Sequence, residues 1–334
     1  MRCFWDERQR AHLPAAEFFN GALHPASEHA GRVDAILDAI GPTEPAMDKG
    51  TAPLLAVHDA AYLDFLRTTH DEWLAAGRSG DAFPYAFPVV GRRQLKFDRI
   101  DARLGQYSFD TSTPIGPGTW EASYWNAQTA LAGLGAVLGG ERSAFAFTRP
   151  PGHHAGKDYC GGYSYLNTAA IAAEAAVAAG RSKVAILDVD YHHGNGTQDI
   201  FYERGDVLFA SIHADPATDY PFYWGHADET GEGAGTGATL NLPLPRGTRL
   251  ADFTRALDTA LARIAAFAPD LLICSYGADT YAGDPISHFA IDTGDYPQIA
   301  RRIGSLSLPT LIVMEGGYAV DRLGENVAAF LSGF

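Results

Sequence analysis

The chain is poor in cysteine, short of positive charge and without any long apolar run. Its three cysteines, Cys3, Cys160 and Cys274, are odd in number and far apart. They make neither a disulfide framework nor a CxxC motif, and a reducing cytoplasm is the expected setting. No segment reaches the roughly 18 apolar residues of a membrane span, and residues 1–8 are charged rather than carrying the apolar core of an export signal. Forty acidic residues face 25 basic ones, a net charge of -15. That imbalance argues against nucleic acid or an anionic membrane as partner and favours cationic ligands. No internal repeat, heptad or low-complexity tract is present. The glycine-rich run GEGAGTG at 231–237 formally fits a dinucleotide fingerprint. However, residues 239–243 (TLNLP) read as a strand, not as the helix that would hold a pyrophosphate, so this run is expected to be a loop.

What is present is an alternation of helix and strand. Apolar runs at 144–147, 183–190, 207–213, 271–276 and 310–314 read as buried strands. Helical patterns lie at 30–40, 60–76, 119–138, 167–179, 196–203, 250–267, 296–303 and 325–331, the 250–267 stripe being Phe253, Leu257, Leu261 and Ile264. Strands apolar on both faces and separated by helices predict an α/β fold: one domain over residues 1–334, in three layers, with a central mostly parallel sheet covered by helices. Residues 79–118, rich in glycine and proline, read as an irregular excursion that shapes a pocket rim or a subunit contact.

Polar chemistry follows each predicted strand: 149–154, 188–193, 213–215, 277–279 and 315–318. Ligands bind beyond the carboxyl ends of strands in open α/β sheets, so five strand ends are expected to converge. Asp190 and His192, two apart at the end of a strand, would point to one side. With Asp279 they make two carboxylates and one imidazole with room for water, which suits a catalytic zinc ion. In Arg149-Pro150-Pro151-Gly152-His153-His154, a tight turn presents two imidazoles for proton transfer. Asp188 is placed to orient His153, and Asn195 to orient His154. In Glu315-Gly316-Gly317-Tyr318, the phenol of Tyr318 is a candidate oxyanion donor.

Taken together, RPPGHHA, GGYSYLN, DVDYHHGNGTQ, SIHADP, GADT with GDP, and EGGY resemble the histone deacetylase family, with its arginase-like fold, over residues 144–320. The wording around Thr119-Trp120-Glu121, residues 199–206 and residues 284–287 is most similar to the acetylpolyamine amidohydrolase branch. The resemblance implies one Zn²⁺ on Asp190, His192 and Asp279, with His153 and His154 as tandem histidines and His154 as general base and acid. It implies that Tyr163 and Tyr220 line a substrate channel beside Gly162 and Gly316. A structural K⁺ is implied near Asp188, Asp190, His192, Ser211 and Ile212. Glu17 and Asp101 match acidic channel-mouth positions, whereas Ser112, with Asp110 nearby, stands where a further glutamate is expected. A homodimer formed through the 79–118 excursion is implied as well.

The expected activity is hydrolysis of an N-acetyl amide on a small cationic amine. The alternatives are a protein acetyl-lysine deacetylase, a binding module without turnover, and a binuclear manganese hydrolase, whose usual Asp-rich motifs are not found.

Overall fold

The structure is a computed structural model that describes residues 1–89 and 96–334. Its strands, in chain order, are β1 (Arg2–Phe4), β2 (Ala16–Phe19), β3 (Ala22–Pro25), β4 (Ser143–Ala146), β5 (Val184–Asp188), β6 (Val207–Ala214), β7 (Thr239–Leu244), β8 (Leu271–Tyr276) and β9 (Thr310–Met314). The helices are α1 (Gly31–Ile40), α2 (Ala52–Leu55), α3 (Ala60–Ala75), α4 (Ile100–Gln106), α5 (Thr119–Leu138), α6 (Thr168–Ala178), α7 (Asn195–Phe201), α8 (Leu250–Phe267), α9 (Tyr296–Gly304) and α10 (Val320–Leu331).

Seven strands form one sheet in the order β1-β4-β9-β8-β5-β6-β7, while β2 and β3 make a separate antiparallel hairpin. Every pairing in the large sheet is parallel. β4, β5, β6, β8 and β9 are buried along their whole length, as strands covered on both faces must be. One apolar cluster joins α3, α5 and α6 to the side chains of one face, such as Ile186 and Ile273. A second joins α1, α8, α9 and α10 to the opposite face, through Leu187 and Cys274. The three-layer α/β architecture expected from the sequence is therefore present. α8 buries the predicted stripe of Phe253, Leu257, Leu261 and Ile264. Asn167 caps α6 by accepting from the Ala170 amide at 2.9 Å. No helix among the described residues is long and apolar enough to cross a membrane.

Five elements were not expected: β1 adds an edge strand, β2 and β3 form a hairpin near the N-terminus, α2 is a short helix before α3, and α4 lies inside the irregular excursion. Residues 90–95 of that excursion lie outside the described residues.

The N-terminal region is fastened to the sheet by buried charge. Glu28 accepts from Arg149 Nε (2.8 Å) and Nη2 (3.0 Å) and from Arg32 Nη1 (2.7 Å). Arg32 in turn donates to the carbonyls of Glu315 (2.6 Å) and Gly317 (2.8 Å), which sets the backbone beneath Tyr318. Burial alone would raise the Glu28 carboxyl, but Arg149 and Arg32 outweigh it and hold it at about 2, below the ordinary 4.5. A depressed folded-state pKa contributes stability above the unfolded value and loses it as pH falls towards 2. Glu28→Ala strands two buried guanidinium groups and should cost about 3–5 kcal/mol at pH 7 by urea denaturation. The gap between variant and parent should narrow below about pH 4.5.

Candidate metal centre and active cleft

β4, β9, β8 and β5 are neighbours in the sheet and run the same way. Their carboxyl ends therefore open on one edge, and each is followed by a segment with charged or hydrogen-bonding side chains.

β5 ends at Asp188, so Asp190 and His192 lie in a tight turn rather than on an extended strand. Their common orientation comes from side-chain-to-backbone hydrogen bonds, as in Asx turns. The Asp190 amide donates to Asp188 Oδ1 (3.1 Å) and the His192 amide to Asp190 Oδ1 (2.8 Å). Asp279, beyond β8, accepts from the Tyr191 amide at 3.0 Å and lies 3.1 Å from His192 Nδ1. One ligand atom from each of Asp190, His192 and Asp279 falls within 4.8 Å of the others. Burial pushes the Asp279 carboxyl up, and the charge of Asp190 adds to it. Two buried carboxylates that repel one another, next to an imidazole, fit a divalent cation and match the donor types zinc accepts.

The turn after β4 supplies the tandem histidines. Glu315, beyond β9, accepts from the amides of Gly152 (2.7 Å) and His153 (3.1 Å) and so shapes that turn. His153 Nδ1 lies 2.9 Å from Asp188 Oδ2, and His154 Nδ1 lies 2.6 Å from Asn195 Oδ1. The rings are 4.1 Å apart. Burial would lower His153, but Asp188 and Asp190 outweigh it and push it up to about 10. Burial, reinforced by the charges of His153 and His192, drives His154 well below the ordinary histidine range. Adjacent groups pushed in opposite directions are a mark of divided acid and base roles. Gly162, at φ +54°, leaves room for this arrangement, because a Cβ there would lie 2.2 Å from the His154 ring.

The cleft above these groups has a volume of about 280 Å³ and is lined by His153, His154, Asp190, His192, Gly162, Tyr163, Tyr220 and Tyr318, with Ser112 at its wall. Tyr220 donates to Asp110 Oδ2 (2.8 Å), which also accepts from the Gly162 amide (2.7 Å) and from Ser112. Burial raises the Tyr318 phenol well above the ordinary range. Its backbone amide donates to Asp284 Oδ2 at 2.7 Å, and the Arg32 guanidinium lies 5.0 Å from its ring centre.

Several expected residues sit elsewhere. Asp101 is not a cleft residue: Arg78 and Arg99 each hold one of its oxygens at 2.7 Å. Glu17 is buried on β2 behind the wall, with Oε1 accepting from Ser27 Oγ (2.8 Å) and Oε2 lacking a hydrogen-bond partner. Gly316 does not line the cleft; its amide holds Asp190 Oδ2 at 2.8 Å. Residues 213–215 at the end of β6 do not join the other four strand ends, although Tyr220 and Phe222 of the following segment line the cleft. His213 is buried between Ser211 Oγ and the Gly225 carbonyl, both at 2.8 Å, and Asp215 caps a turn through the Ala217 amide. Asp188 and Ser211 are register partners, with Ile212 next to Ser211. Sequence reasoning missed Phe19, Asn20, Phe222 and Ile286 on the lining. Phe19 ends β2 and the other three lie in loops; Ile286 falls in the 284–287 stretch noted for its wording, and the rest had no signal of their own.

Residues 26–334 match the histone deacetylase domain family, and the chain belongs to that family. Over its whole length it is 50% identical to acetylpolyamine amidohydrolase 1 of Pseudomonas aeruginosa, covering 99% of that protein. It is 45% identical to the acetylpolyamine amidohydrolase of Mycoplana ramosa, again over all of this chain and 99% of the relative. The crystal structure of the acetylpolyamine aminohydrolase from Burkholderia pseudomallei superposes with a TM-score of 0.94 at 42% identity, covering all of this chain and 98% of that one.

The ligand cluster predicts uptake of one divalent ion per chain. Asp279→Asn should weaken that binding by at least about tenfold, since even outer partners of metal ligands are worth about 10- to 100-fold. Elemental analysis after dialysis checks this, and unchanged metal content would exclude Asp279 as a ligand.

Proposed function

We propose that this chain is a zinc-dependent amidohydrolase that removes acetyl groups from N-acetylated amines, with acetylpolyamines or acetylated diamines as substrates, releasing acetate and the free amine. The observation that carries the reading is a three-donor acidic cluster beside two imidazoles of opposite character, at the floor of a narrow cleft. Full-length similarity to proteins named acetylpolyamine amidohydrolases supports the substrate class.

Asp190, His192 and Asp279 would hold zinc, which when bound polarises a carbonyl and activates water near neutral pH. Neutral His154, with Nδ1 turned to Asn195, accepts a proton at Nε2. An amide nitrogen does not depart as an anion, so an imidazole returns the proton to the leaving amine. The Tyr318 O–H donates to the carbonyl oxygen as negative charge develops there. Tyr163 and Tyr220 flank the aliphatic part of the substrate, Gly162 and Gly316 keep the backbone close to the site, and the net charge of -15 attracts cationic amines. Glu17, buried on β2 close to Tyr163, would add negative charge behind the channel wall.

The same reading treats residues 1–334 as one catalytic domain. It places K⁺ near Asp188, Asp190, His192, Ser211 and Ile212; pairing of Asp188, the last residue of β5, with Ser211 of β6 supports this. A homodimer is supported by exposed Tyr85, Phe87 and Val89 in the excursion and is checked by light scattering. Three unbridged cysteines fit a cytoplasmic setting.

Zinc-loaded protein should release acetate from acetylputrescine. Its kcat/KM for acetylated diamines should exceed that for an acetyl-lysine peptide by more than about tenfold, or 1.4 kcal/mol. The reverse preference would favour protein deacetylation, and no turnover of any acetylated amine would overturn the proposal. Tyr318→Phe should lower kcat by about 10²–10³-fold.

A further inference from the structure

Beyond the tandem histidines, a line of hydrogen bonds runs from the cleft to the surface. His154 and Asn195 are buried, Tyr159 is half-buried and Asp199 is exposed. His154 Nδ1 meets Asn195 Oδ1 at 2.6 Å. Asn195 Nδ2 faces the Tyr159 hydroxyl oxygen at 3.4 Å and the His154 carbonyl at 3.5 Å. The Tyr159 O–H donates to Asp199 Oδ2 at 2.6 Å. The bare Cα of Gly156 admits the Tyr159 ring to this place, since a Cβ there would lie 2.3 Å from it.

The direction of these bonds is constrained. An ionised carboxylate only accepts, so Asp199 accepts the phenol's O–H and leaves the Tyr159 oxygen as an acceptor towards Asn195. The amide must then present Nδ2 to Tyr159, which turns Oδ1 to His154. An acceptor at that position requires a proton on His154 Nδ1 and leaves the lone pair on Nε2, at the ring edge away from Asn195. A flipped amide would face Oδ1 to two acceptors and place an N–H donor on Nδ1, selecting the opposite tautomer. Both contacts are long, at 3.4 Å to the phenol and 3.5 Å to the His154 carbonyl, and they hold the amide in the same orientation; the phenol is the one of the two that a substitution can remove.

We propose that Tyr159 and Asp199 are positioning residues that fix the ring tautomer of His154 through the amide of Asn195. The consequence for turnover rests on the amidohydrolase reading above, whereas the tautomer itself does not. Neither residue touches substrate; both act through Asn195.

The test is nitrogen NMR of the full-length protein carrying ring-labelled histidine, with the His154 signals assigned by their loss in His154→Ala. The parent protein should show a protonated Nδ1 and a bare Nε2. Tyr159→Phe, which keeps the ring and removes the hydroxyl, should give a mixed or reversed pattern. Asp199→Asn, a change that keeps the size of the side chain, should shift the pattern the same way to a smaller extent. With acetylputrescine, Tyr159→Phe should lower kcat by about tenfold, a part of the 10²- to 10⁴-fold worth of a positioned base, while KM changes by less than about twofold. An unchanged ring pattern in Tyr159→Phe overturns the proposal, even if kcat falls, because the loss would then be structural. If the parent releases no acetate, the functional reading fails while the NMR comparison still decides this one.

Discussion

Asp188, Asp190, Asp279 and Glu315 are all buried at one edge of the sheet, and their mutual repulsion is the constraint on which the local structure depends. Each is partly offset by a group from a different strand end. Asp188 faces the ring of His153. Glu315 collects the Gly152 and His153 amides and the Ser275 hydroxyl. Asp190 takes the amides of His192 and Gly316. Only Asp190 and Asp279 face each other across His192 with acceptor oxygens still directed at a common point. A divalent cation held at that point would complete the balance in a place where burial alone favours neutral carboxyls.

The imidazole couple shows how one turn yields two different groups. His153 is paired with a carboxylate and its pKa is pushed up, while His154 is paired with an amide and its pKa is pushed down. The difference lies in the neighbouring charge: besides burial, which lowers both, His153 faces Asp188, Asp190 and Glu315, whereas His154 faces the charges of His153 and His192 and a neutral amide. Charge assignment here is set by the second layer of side chains, not by the ring positions themselves.

Much of this was legible in the sequence. The interior strands are apolar on both faces, so their runs stand out, and the dense polar motifs directly after them mark the functional edge. What stayed hidden has physical causes. β1 is only three residues long and takes its identity from pairing with β4. The β2–β3 hairpin exposes Phe18, Phe19 and Leu23, so no inside–outside alternation announces it. Asp190 and His192 look like strand neighbours, yet side-chain-to-backbone hydrogen bonds set their geometry. Asp101 matches an acidic position by alignment, but Arg78, remote in sequence, and Arg99 capture it, and capture of that kind has no local signal. The link between Tyr159 and Asp199 spans 40 positions and belongs to tertiary structure alone.

The order of strands carries a temporal consequence. β4 and β5 are made early in the chain but never touch; β9 and β8, made late, are inserted between them. The middle of the sheet is therefore the last part to be synthesised. A growing polypeptide holds Asp190 and His192 long before Asp279 arrives, and the two halves of the scaffold have no hydrogen-bonded seam until the final strands slot in. Completion of the Asp190, His192 and Asp279 cluster thus belongs to the closing stage of biogenesis, and a fragment released before β8 is made would lack the third donor.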